Sequence, residues 1–157
     1  MRRRGDDGTA AVEFVLVSVV LVVPLVYLLL GVFGVQRASF GATQAAREAG
    51  RAFATADSSA AGLRRARAAV ALALADQGVT ATPVLTAVPD GAGCSTTAGM
   101  GAASLAPGAR FTVCLQLQLP LPFADRGLLH AVLPGTVRVS ASALVVVDTY
   151  RSGVTAP

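Results

Sequence analysis

FVLVSVVLVVPLVYLLLGVFGV, residues 14 to 35, is a run of 22 residues without one charged side chain. As a helix rising ~1.5 Å per residue it would measure about 33 Å, enough to cross the ~30 Å hydrocarbon core of a bilayer. A core helix of a soluble domain seldom goes so long without a charge. A cleaved secretory signal has an apolar region of only ~7–15 residues, closed by a small-x-small site. This run is longer, and Phe33-Gly34-Val35-Gln36 at its end offers no such site. The stretch therefore reads as a retained transmembrane helix, and it organises everything around it.

The rest of the composition agrees. Apolar residues make up 54% of the 157-residue chain and charged residues 14%, well under the ~25% charge of ordinary soluble domains. The net charge is +4, and all 13 basic residues are arginine. Arg2, Arg3 and Arg4 precede the span, and Arg64, Arg65 and Arg67 fall on an expected helix. Neither group is interleaved with aromatics and no nucleic-acid-binding motif is present, so no nucleic-acid partner is expected. For orientation, Arg2 to Arg4 on one side balance Arg37, Arg47 and Arg51 on the other, and the positive-inside count is a tie. The short tail with its packed arginines favours an inside N-terminus. On that orientation the protein is a single-pass protein of the cytoplasmic membrane, with residues 36 to 157 as an extracytoplasmic part.

Beyond the span, residues 36 to 55 keep a helical period. Arg37, Gln44, Arg47, Glu48 and Arg51 share one sector of about 100°, and Ala38, Ala42, Ala45, Ala46, Ala49 and Phe53 share the opposite one. The span is thus expected to continue into an amphipathic stem. Its alanine face would admit a close neighbour, either the chain's own domain or a partner helix. Asp57-Ser58-Ser59 reads as a break and a cap. A second helix follows over about 60 to 77, with Leu63, Ala66, Val70, Ala73 and Leu74 on one face and Gly78 ending it.

From Val79 the texture becomes β-like. Residues 79 to 88 suit a short strand, and 89 to 108, rich in Gly, Ala and Ser, a loop. Residues 111 to 119 alternate with period two until Pro120 and Pro122, and 136 to 148 alternate again with Val137, Val139, Ala141, Ala143, Val145 and Val147 on one side. Residues 123 to 133 suit a short helix or a covering loop. The expected class is α+β: a long N-terminal transmembrane helix, a stem, and a small antiparallel sheet domain. The expected divisions are 1–8, 9–35, 36–77 and 78–157.

Chemistry-bearing constellations are sparse. Cys94 and Cys114 stand 20 positions apart after the span. In an oxidising compartment they could form a disulfide contributing about 3 kcal/mol, and the alternative is two unrelated buried thiols. His130 stands alone, the carboxylates are scattered, and there is no phosphate loop or nucleophile elbow. No cofactor, metal or catalytic residue is expected, and the chain does not read as an enzyme.

Two residues before the span still require a reason. Glu13 directly precedes it, and Gly8 lies five positions earlier. The stretch Gly8-Thr9-Ala10-Ala11-Val12-Glu13-Phe14, followed at once by the apolar run, resembles the N-terminus of type IV pilin-like proteins. GTAAVEFVLV, the run, and then ATQAAREAGRAF are similar to TadE-like minor pseudopilins of tight-adherence (Flp-type) pilus systems, over residues 8 to 53. The resemblance implies a leader of residues 1 to 8 and cleavage between Gly8 and Thr9 by a prepilin-type peptidase. It implies that Thr9, Glu13 and Phe14 serve assembly. The implied partners are the membrane, other pilin and pseudopilin subunits, and the inner pilus-assembly platform. A carboxylate at the bilayer edge is tolerated more easily than the ~2.5–3.5 kcal/mol case at its centre, and pairing with a neighbour's exposed amine would offset what remains. The chain departs from the pattern in one respect. Relatives often carry proline five residues after the glutamate, where this chain has Ser18, and Pro24 lies deeper. A signal-anchored protein with an extracytoplasmic binding domain is the alternative reading.

Overall fold

The computed structural model describes residues 7–94, 99–120 and 135–150. The chain forms two units, Met1–Gly34 and Val35–Pro157, each taken by itself below. The architecture is α+β: helix α1 (Asp7–Ala54), helix α2 (Ser59–Asp76), strand β1 (Val84–Pro89), a 3-10 turn (Met100–Ala102), strand β2 (Arg110–Pro120) and strand β3 (Thr136–Val146).

The first unit is the apolar part of α1. Its helix contains Pro24 and is not interrupted there, although proline removes one backbone donor from the ladder. Its large apolar side chains face outward all round. Val12 is 67% exposed, Leu21 66% and Phe33 56%.

The second unit holds the core. The C-terminal part of α1 lays Ala38, Ala42, Ala45, Ala46, Ala49 and Phe53 inward, each fully buried. Ser58 caps α2 by accepting a hydrogen bond on its Oγ from the Ala61 N–H at 3.3 Å. The helix closes with paired bonds from the Gly78 N–H to Ala75 O and the Val79 N–H to Leu74 O. Gly78 sits at φ +65°, the left-handed position that ends many helices and suits glycine. A Cβ on Gly62 would lie 2.8 Å from Phe53 Cδ2, and one on Gly41 would lie 3.1 Å from Gln77 Cγ. The start of α2 therefore meets the end of α1, and the pair runs antiparallel.

The three strands form an antiparallel meander in the order β1-β2-β3. The register pairs Ala87 with Val113 and Val113 with Ala143 across the sheet. Phe111, Val113, Leu115 and Leu117 are buried on the inner face, as period-two alternation requires. The end of α1 crosses that face so closely that a Cβ on Gly50 would overlap Val145 Cγ2.

The structure differs from the sequence expectation at several places, including the strand ends, where β2 spans Arg110–Pro120 and β3 stops at Val146 rather than Asp148. The first strand begins at Val84 rather than Val79, after Pro83, whose ring nitrogen cannot donate to a ladder. The loop from residue 89 includes the 3-10 turn, which buries Met100, and a bridge between Gly99 and Thr86. Leu63 is only half-buried, and Gly62 is buried in its place because the Phe53 ring rests there. The second helix starts at Ser59 and ends at Asp76, one residue from each expected bound. Residues 123 to 133, expected as a short helix or loop, lie outside the described residues.

Candidate membrane segment and assembly residues

Thr9, Glu13 and Phe14 all lie in the first turns of α1, and all three are exposed. Thr9 and Glu13 are four residues apart and so share one helix face. Glu13 makes no ion pair with any described residue, and Phe14 is 73% exposed directly beneath it in sequence. Gly8 is helical, because α1 starts at Asp7. The Gly8–Thr9 bond thus belongs to the first turn, where backbone donors have no intrahelical partner and the helix unwinds most easily.

One helix among the described residues is long and apolar enough to cross a membrane once, and none of its most apolar window is buried. This excludes its being the core helix of the described fold. A helix that is apolar on every side has no polar face to offer water. Contiguous exposed apolar surface on soluble monomers rarely exceeds a few hundred Å², and this helix presents such surface for six turns. A bilayer supplies the missing solvent. The arrangement is that of a single-pass membrane anchor followed by a folded α+β unit.

Cys94 and Cys114 are joined by a disulfide, with Cα atoms 5.7 Å apart. Cys114 points to the outer face of β2 by alternation and is nevertheless 1% exposed. The loop carrying Cys94 covers it, and Gln116 Nε2 donates to Cys94 O at 3.2 Å to hold that loop down. The disulfide therefore ties the loop to the central strand, and nothing in the strand's alternation marks Cys114 as buried.

The described residues contain no group of three or more His, Cys, Asp or Glu able to hold a metal, and no buried charged side chain. His130 lies outside the described residues. The outer sheet face carries a feature that sequence reasoning missed, an open depression of about 370 Å³ lined by Thr82, Val84, Gln116, Gln118 and Arg138. Alternation puts Gln116 and Gln118 on one face of β2. Only the strand register brings Arg138 beside them.

The chain matches no protein-family model, no curated protein and no solved structure.

Proposed function

We propose that the protein is a minor pseudopilin of a Flp-type (tight-adherence) pilus, processed after Gly8 and inserted in the cytoplasmic membrane with its α+β unit outside. The observation that carries this reading is Glu13, an exposed carboxylate without an ion pair among the described residues, at the head of a helix exposed and apolar on every side. A plain anchor has no use for a carboxylate set directly before its apolar run. A helix that must register against sister helices does. Cleavage at Gly8 would leave the Thr9 amine one turn from Glu13. Across two subunits, amine and carboxylate would pair in a medium where an unpaired charge is costly. The span then serves first as an anchor and later as one helix of a bundle, and the α+β unit packs beside neighbouring subunits. The Cys94–Cys114 disulfide supports an oxidising, extracytoplasmic location for that unit.

The test is complementation of a host lacking this chain. The unaltered chain restores surface pili. Glu13→Ala leaves a membrane-inserted, folded protein that restores none. Full restoration by Glu13→Ala contradicts the reading and favours a signal-anchored binding protein.

A further inference from the structure

The depression on the outer sheet face has a defined construction. Gln118 and Arg138 are opposite one another across β2 and β3, and Val84 is opposite Gln116 across β1 and β2. Thr82 precedes Val84 by two residues and extends its row. Five side chains from three backbone segments thus converge on one space of about 370 Å³, within the ~300–1,000 Å³ of small-ligand sites.

The chemistry of the lining is selective. Arg138 is exposed and has no ion pair or hydrogen bond among the described residues. Its guanidinium presents a planar fork of donors that matches a carboxylate in two parallel bonds. No carboxylate is among the described residues lining the space. Gln118 adds an amide, with donors and an acceptor, and Thr82 a hydroxyl that both donates and accepts. Gln116 is fixed by its bond to Cys94 O, which the disulfide in turn fixes to β2. Its amide oxygen is left to accept. Val84, 57% exposed, is the one apolar wall, and the C–H face of a sugar ring can rest on it. One cation, several neutral donors and acceptors, and one apolar contact describe a ligand with a single carboxylate and several hydroxyls.

We propose that this depression binds an acidic sugar, a uronate unit of a glycan, with Arg138 on the carboxylate and Gln116, Gln118 and Thr82 on the hydroxyls. The proposal does not depend on the membrane or pilus reading. It gives the folded unit a ligand in either case.

The experiment uses the full chain in nanodiscs and reads saturation-transfer NMR with D-glucuronate as probe and D-glucose as the neutral comparison. Saturable glucuronate binding is expected, with little from glucose. Arg138→Ala should weaken it about tenfold or more, as loss of hydrogen bonds to a charged group does. Arg138→Lys should fall between, because lysine keeps the charge and loses the fork. Arg110→Ala, an exposed arginine at the other end of β2, should bind as the unaltered chain does and controls for folding. No saturable binding, equal binding of glucose, or binding unchanged in Arg138→Ala overturns the proposal.

Discussion

The Phe53 ring meets Phe111 edge to face, with centroids 5.6 Å apart and planes at 79°. Phe53 ends the helical stem and Phe111 begins the central strand, so this contact joins the helical layer to the sheet. Phe53 also roofs Gly62 at the start of α2. One side chain thereby touches both other layers of the unit. Phe53→Ala should destabilise the folded unit by about 3–5 kcal/mol, the usual range for an emptied aromatic core position. A double-mutant cycle with Phe111→Leu should return a coupling of about 0.5–1.5 kcal/mol. Thermal unfolding of the full chain in detergent, followed by circular dichroism, measures both.

Gly50 makes the second close approach, under Val145. Gly50→Ala usually favours a helix by about 1 kcal/mol. Here the added methyl has no room, and the substitution should instead cost about 1–3 kcal/mol through overpacking. Gly31→Ala, helical and with nothing within 4 Å, should not lower the unfolding midpoint, and the propensity gain would if anything raise it. The pair of melting curves separates crowding from propensity.

The disulfide closes a loop of 20 residues and should contribute about 3 kcal/mol. Cys94→Ser with Cys114→Ser should lower the midpoint accordingly and uncover the outer face of β2. Intact-mass measurement after alkylation should show no modified cysteine in the native chain and two after reduction.

The apolar helix has the length and composition of a single membrane anchor. Val23→Arg introduces a charge that costs about 2.5–3.5 kcal/mol at the centre of a span, and it should shift part of the chain out of the carbonate-washed membrane fraction. Leu72→Arg, at an even more exposed apolar position on α2, should not. An equal shift for both would mean that the helix is not the anchor.

Much of this fold was legible because two periodicities are strong. Alanines at 38, 42, 45, 46 and 49 with Phe53 mark one face of a helix, and all are fully buried. Valines and alanines at every second position from 137 to 147 mark the inner face of β3 and its continuation. Other features carry no such signal. Gly50 and Gly62 are core contacts by virtue of having no side chain, and hydropathy gives them no weight. Pro83 delays the first strand, yet the residues around it alternate well enough to suggest an earlier start. Cys114 belongs to the outward set of its strand and is buried by a distant loop. The depression around Arg138 depends on register across three strands, which no single stretch encodes. At the N-terminus the reverse holds. The spacing of Gly8, Thr9 and Glu13 is legible only in sequence, and on the proposed function its meaning would lie in a cleavage event and in neighbouring subunits.

The central claim is that Gly8 ends a leader and Thr9 begins the working protein. The most direct measurement is the N-terminus of the chain, read by mass spectrometry after expression with and without a prepilin-type peptidase. The account predicts a start at Thr9 that requires the peptidase and is lost in Gly8→Ala. A start at Met1 or Arg2 under both conditions would contradict it.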